Sequence, residues 1–264
     1  MECSLNTPLQ PVLVLCMKWG KAYGPEYVNR LRKGVHRHLS YSHRFICFTD
    51  DPTGIEEGIE IFPLPSLGLP PQHHDLRWRK LALLGKDVFG LTGTALFLDL
   101  DLVVVDRLEP FFDHPQKFMI IRDMDLFRSK LLRKLTPAKD KFLKSVGNSS
   151  VFKMEMGAHS DILDEFVRDP IAAQRVFKIS QQFMSHELDK RGLLHYWPKE
   201  WCVSFKNHCV PSYWRSYFQD PFIPTEAKIV VFAGNLKMQD VVEGRGSKWY
   251  RRIGDVAWLK NSWQ

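Results

Sequence analysis

Unbroken apolar runs alternate along this chain with segments whose apolar residues recur every three to four positions. The first run, Pro11–Met17 (PVLVLCM), has the length and branched residues of a strand buried on both faces. It ends at Lys18-Trp19-Gly20, which predicts a glycine-bearing loop. Tyr27, Val28, Leu31, Val35 and Leu39 then follow at helical spacing. His43–Thr49 predicts a second strand, closed by the turn residues Asp50-Asp51-Pro52. Ile59–Phe62 predicts a third, and the four prolines of Pro63–Pro71 predict a rigid loop. Leu76–Val88 predicts a helix. Thr94–Val105 is apolar except at Asp99 and Asp101 and the polar Thr94, and predicts the most buried strand of the chain. Lys117–Arg122 predicts another.

The second half continues the alternation. Asn148–Phe152 reads as the start of a strand. Ser160–Val167 and Val176–Lys190 read as helices, the latter stopped by Gly192. Ile229–Phe232 is a late strand. Strand and helix in turn argue for an α/β fold with a central, mostly parallel sheet flanked by helices. No repeat or linker divides the chain, so one domain over residues 1–264 is expected. Ligands of such sheets sit beyond the carboxyl ends of the strands, which directs attention to the loops starting at Lys18, Thr49 and Asp99.

Composition bounds the function classes. Of 264 residues, 44% are hydrophobic and 25% charged, as in folded proteins, which excludes a fibrous or wholly disordered chain. The formal charge of +7 points to a polyanionic partner. Its excess is segmental: it falls in Arg122–Lys144 and in Arg245–Arg252, and the remainder is slightly acidic. In the first segment Leu126, Phe127, Leu131, Leu132 and Leu135 interleave with the cations at helical spacing. Residues 122–147 read either as a solvated helix packing on the core or as an excursion facing an acceptor or a membrane surface. No nucleic-acid recognition module accompanies the charge, so nucleic acid is not the expected partner.

Five cysteines without a CxxC do not make a disulfide framework. Cys202, His208 and Cys209 lack the remaining ligands of a zinc site. His73-His74-Asp75 reads as a polar loop. The amino-terminal residues lack a secretory pattern, and no stretch reaches the ~20 apolar residues of a membrane span. A reducing, cytoplasmic setting is the expectation, with peripheral contact at the inner face of the membrane left open.

The chemistry concentrates at Asp99-Leu100-Asp101. In a strand these carboxylates share a face, repel each other and raise one another's pKa unless a cation stands between them. A divalent ion (Mg²⁺ or Mn²⁺) bridging to a diphosphate resolves this, because hard oxygen ligands suit such ions. A strand-end turn neutralised by lysine is the other reading. The second copy, Asp123-Met124-Asp125, follows a weaker strand and reads as turn chemistry.

Other motifs occur around this one in a fixed order. They are Lys18-Trp19-Gly20 with Tyr23-Gly24-Pro25-Glu26-Tyr27-Val28, Phe45–Asp51 (FICFTDD), and Lys80-Leu81 before Ala95–Asp101. Asn148-Ser149-Ser150, Trp201–Lys206 (WCVSFK) and Phe232–Lys237 (FAGNLK) follow. In this order the chain resembles the nucleotide-sugar glycosyltransferases of the GT-A fold, most of all the bacterial branch related to glycosyltransferase family eight. The resemblance implies a GT-A-like, Rossmann-like domain. It implies transfer of a sugar from a nucleotide-sugar donor to a glycan or lipid-linked acceptor and leans to retention. No residue stands out as a general base, and the residues themselves leave retention and inversion both open.

By that resemblance Asp99 and Asp101 would hold the metal and the donor diphosphate. Lys18, Trp19, Thr49 and Asp50 would lie near the base and ribose, and Lys80 near the phosphates. Asn148, Ser149 and Ser204 would line the sugar and acceptor side, with Asn148 and Gln182 positioning the sugar. Lys206, Gly234 and Lys237 would close over the diphosphate. Taken without the resemblance, Thr49, Asp50, Asn148 and Ser149 are ordinary turn residues, and Gln182 and Lys237 ordinary surface residues. Two departures stand out: Ala233 replaces the family's late metal-binding histidine, and Gln181 replaces the acid of its Asp-Gln pair. A nucleotidyltransferase and a non-catalytic nucleotide- or carbohydrate-binding relative are the competing readings.

Overall fold

The computed structural model describes residues 10–69, 76–126, 146–232, 234 and 236–263. The basic run 127–145, His73-His74-Asp75 and Ala233 lie outside them. β1 (Val12–Lys18), β2 (His43–Thr49), β3 (Glu60–Phe62) and β4 (Thr94–Leu98) lie parallel. β5 (Leu102–Val104) leaves this sheet for a smaller one. β6 (Met119–Arg122) and β7 (Gly147–Glu155) complete the larger sheet in the order β3-β2-β1-β4-β7-β6. β7 runs antiparallel to both neighbours. The α/β class expected from the sequence therefore holds, with a mixed sheet. Strand direction at β7 follows from how the chain returns to the sheet, and no side-chain period encodes that.

The unbroken apolar runs follow from burial on two sides. Val12, Val14 and Cys16 enter one core while Leu13, Leu15 and Met17 enter the other. Ala95 and Phe97 part from Leu96 and Leu98 in the same way. On the first side pack α1 (Pro25–His38), through Tyr27, Val28, Leu31 and Val35, and the small sheet. That sheet has the order β5-β9-β8, with β8 at Cys202–Ser204 and β9 at Ile229–Val231. On the second side pack the helices Ser160–Arg168 and Ser180–Lys190, around Trp78 and Phe166, whose rings stack at 4.8 Å.

Three elements differ from the sequence expectation. Leu76–Leu84 is a 3₁₀ helix rather than an α-helix through Val88. The helix expected over Val176–Lys190 starts at Ser180, after a separate helix Pro170–Val176. Thr94–Val105 is not one strand: Asp99–Asp101 forms a corner at which the chain passes from the larger sheet to the smaller. Backbone bonds pin that corner, Asp99 N–H to the Ser150 carbonyl at 2.9 Å and Phe232 N–H to the Asp101 carbonyl at 2.8 Å. Two short apolar runs separated by three residues give the same local pattern as one long strand, so periodicity could not separate them.

Candidate active site

Parallel strands place the carboxyl ends of β1 and β4 side by side, and β7, running the other way, brings its first residues to the same edge. A cleft of about 330 Å³ opens there. Trp19 and Tyr23 line it from the loop after β1, Asp99–Asp101 from the corner after β4, and Ser149 from β7. Arg77 and Lys80 contribute from the 3₁₀ helix, and Ser180 and Gln181 from the start of the helix Ser180–Lys190.

Lys80 Nζ donates to Asp99 Oδ2 at 2.7 Å and to the Ser149 carbonyl at 3.0 Å, and lies 5.0 Å from the centre of the Phe97 ring. Asp101 has no such partner: its Oδ1 is buried without a hydrogen bond. Burial foremost, then the charge of Asp99, pushes its carboxyl up to about 7, against an opposing pull from Lys80. The same two causes, burial first and then the Asp101 and Asp99 charges, raise Tyr23. The corner thus holds one neutralised carboxylate and one that lacks a counter-charge.

A divalent cation fits this donor set. The orphaned Asp101 oxygen is an acceptor that a cation would satisfy, and Mg²⁺ or Mn²⁺ can be held by one or two carboxylates with substrate phosphates supplying further ligands. Among the described residues no group of three or more His, Cys, Asp or Glu side chains converges. Any such ion would therefore depend on the donor for the rest of its shell. The described cysteines are buried free thiols, Cys202 and Cys209 among them.

The other sequence candidates divide. Ser149 lines the cleft, and its N–H and hydroxyl face Gln181 Oε1 at 3.2 and 3.4 Å. Trp19 lines it as well. Lys18, Thr49 and Asp50 instead knit the loops together. Lys18 Nζ and Thr49 Oγ1 both donate to the Asp51 carbonyl at 3.0 Å, and Asp50 Oδ2 accepts from Gly20 N–H at 3.1 Å.

Asn148 turns away: its Nδ2 donates to Asp123 Oδ1 at 3.0 Å. Gln182 turns away too, reaching back over the helix start to accept from Lys178 N–H at 2.8 Å. The neighbouring Gln181, which the sequence marked only as a lost acid, faces the cleft. Helical rotation separates adjacent residues by about 100°, so only one of the pair can point inward. The N-cap position is Ile179, whose side chain cannot cap, so no capping box in the sequence marked which glutamine would turn inward.

Ser204 is buried beneath Asn207 Nδ2, 3.3 Å from its hydroxyl. Lys206 and Gly234 line a second cleft with Lys248 and Arg251. Lys237 stands at the rim of the first, its Nζ on the Ala22 carbonyl at 2.5 Å and 4.9 Å from the Tyr23 ring centre. Tyr23 stood in one of the ordered motifs without a role of its own, and Arg77 belonged to a segment read only for secondary structure.

No protein-family model matches the chain, and no curated protein matches it in sequence. Solved structures do match. The galactosyltransferase LgtC in complex with donor and acceptor sugar analogues superposes with a TM-score of 0.51 at 15% identity. That match covers 86% of this chain and 88% of that one. The chain has the GT-A fold of LgtC. An active-site mutant of LgtC matches equally, with a TM-score of 0.52 and 14% identity over 86% and 89% of the two chains. The likeness to LgtC meets, as to the fold, the resemblance drawn from the ordered motifs. The cleft lies at the strand ends, where sheets of this class bind ligands.

Proposed function

We propose that this chain is a glycosyltransferase that moves a sugar from a nucleotide-sugar donor to a hydroxyl of a glycan or lipid-linked acceptor. The observation that carries the reading is the Asp99–Asp101 corner, with its orphaned carboxylate oxygen, in a cleft of an LgtC-like fold. LgtC itself is described in complex with donor and acceptor sugar analogues. Asp99 and Asp101 would hold a divalent cation. When bound, that ion supplies positive charge against the diphosphate leaving group.

The protein's own groups supply the rest. Lys80 orients Asp99, and its ammonium adds charge beside the phosphates, as does Arg77 from the same 3₁₀ helix. Trp19 offers a ring face to the donor base. Ser149, already expected on the sugar side, and Gln181 would form a polar wall for the sugar, while Asn148 and Gln182, expected there too, turn elsewhere. The bond from the anomeric carbon to the phosphate oxygen breaks, its electron pair leaving with the nucleoside diphosphate. The acceptor oxygen bonds to that carbon, and its proton passes to the departing diphosphate or to water. Lys237, beside the Tyr23 ring, and Lys206 and Gly234, in the second cleft, would close over the diphosphate.

Turnover of uridine, guanosine and cytidine nucleotide sugars, with and without Mn²⁺ or Mg²⁺, tests this. One donor should release its nucleoside diphosphate in a metal-dependent manner, and Asp99→Asn or Asp101→Asn should abolish the release. Turnover of nucleoside triphosphates in place of nucleotide sugars would instead identify a nucleotidyltransferase. Binding without turnover, unmoved by metal or by either substitution, would identify a non-catalytic relative.

A further inference from the structure

The large apolar side chains left exposed in the described residues are unevenly placed. Tyr213, Trp214, Tyr217 and Phe218 stand out from one short segment, and Trp249 and Tyr250 from another. Phe218 is 81% and Trp249 89% exposed. The remaining exposed apolar residues are mostly single and scattered, as on any protein surface. These six form one surface, because the two segments are joined: Tyr217 Oη donates to the Trp249 carbonyl at 2.5 Å, and Arg252 N–H to Ser216 Oγ at 2.9 Å. Within it Trp214 and Phe218 lie 6.4 Å apart, and Trp249 and Tyr250 5.4 Å apart, ring centre to ring centre.

Cations border the rings. Arg215 lies 5.7 Å from the Trp214 ring centre and Lys248 5.8 Å from that of Tyr250. Arg252 is exposed, and the neighbouring cleft adds Lys206 and Arg251. Between Arg245 and Arg252 there is no acid. The nearest acid of the first segment, Asp220, is turned to the Asp255 N–H, 2.9 Å away.

We propose that this surface docks on a bilayer containing anionic lipid. Tryptophan and tyrosine have an apolar body and a polar edge, which suits them to the boundary between headgroups and acyl chains. Lysine and arginine around them match the negative potential of such a surface. A patch of exposed aromatics this dense marks an interaction site, and its cationic border selects an anionic membrane over a neutral one. The docking is peripheral, since no helix among the described residues is long and apolar enough to cross a membrane. It does not depend on the sugar-transfer reading and would hold for a non-catalytic chain.

The test is co-sedimentation of the full chain with vesicles of phosphatidylcholine alone and of phosphatidylcholine with phosphatidylglycerol. The mixed vesicles should bind at least ~10-fold more protein, and ~0.5 M salt should weaken that binding, as screening requires. Because the basic run 127–145 could also attract anionic vesicles, the deciding variant is the triple substitution Trp214→Ser, Phe218→Ser and Trp249→Ser. It should cut binding to mixed vesicles by at least ~5-fold while the thermal unfolding midpoint and nucleotide-sugar binding stay as in the parent. Equal binding to both vesicle types, or full binding by the triple variant, overturns the proposal. So does loss of binding to a soluble oligosaccharide by the triple variant with vesicle binding intact, which would make the surface a glycan platform.

Discussion

Lys80 Nζ donates a 2.7 Å hydrogen bond to Asp99 Oδ2, and both side chains are largely withdrawn from water. The pair joins the 3₁₀ helix Leu76–Leu84 to the corner between the two sheets, and leaves Asp101 as the group without a counter-charge. Substituting Lys80→Met strands Asp99 beside Asp101. It should lower stability by about 1.5–3 kcal/mol, the range for hydrogen bonds to charged groups, read by urea unfolding at pH 7. Turnover of the accepted donor should fall by at least about tenfold.

Asp101→Asn separates stability from function. The carboxyl that burial and Asp99 push up to about 7 is held at a cost to the free protein. An amide there should raise stability by about 1 kcal/mol in the absence of divalent cations, as is common where a site carries unfavourable charge. The same variant should lose ~100-fold or more of metal-dependent turnover. A variant both less stable and fully active would contradict the role given to Asp101.

Gly147 tests how tightly the cleft wall is built. A Cβ there would meet Ile120 Cδ1 at 2.7 Å and Cγ2 at 2.8 Å, with Ser185 Oγ at 3.0 Å. The Gly147 N–H donates to that same oxygen at 2.7 Å. Gly147→Ala should cost about 1–3 kcal/mol by overpacking, seen in denaturant unfolding. Because β7 carries Ser149 two residues on, donor affinity should fall as well.

Lys153 gives a pH-dependent prediction away from the site. It is buried on β7, and burial lowers its ammonium to about 8. Unfolded lysine titrates near 10.4, so between these values the unfolded chain binds more protons and stability rises with pH. Below about pH 8 both states are protonated and the cost of burying the charge is fully present. The stability of Lys153→Met relative to the parent should therefore fall by about 1–3 kcal/mol between pH 7 and 10.5. A difference independent of pH would show that Lys153 is solvated in the folded protein.

The alternation of apolar runs and helical spacings was enough to place β1, β2, β4 and α1 and to mark Asp99 and Asp101, because burial on two faces is written locally in each strand. Ordered motifs carried the fold further, to the GT-A fold that LgtC shares. Contacts across long sequence separations decided the rest. They made Asp99–Asp101 a corner between two sheets rather than the middle of one strand, and ran β7 against its neighbours. They turned Gln181 rather than Gln182 into the cleft, and brought residues 213–218 against 249–252. A side-chain period reports which face of an element is buried. It does not report which distant element buries it, and the direction of a strand, the wall of a cleft and the joining of two surface segments all depend on that.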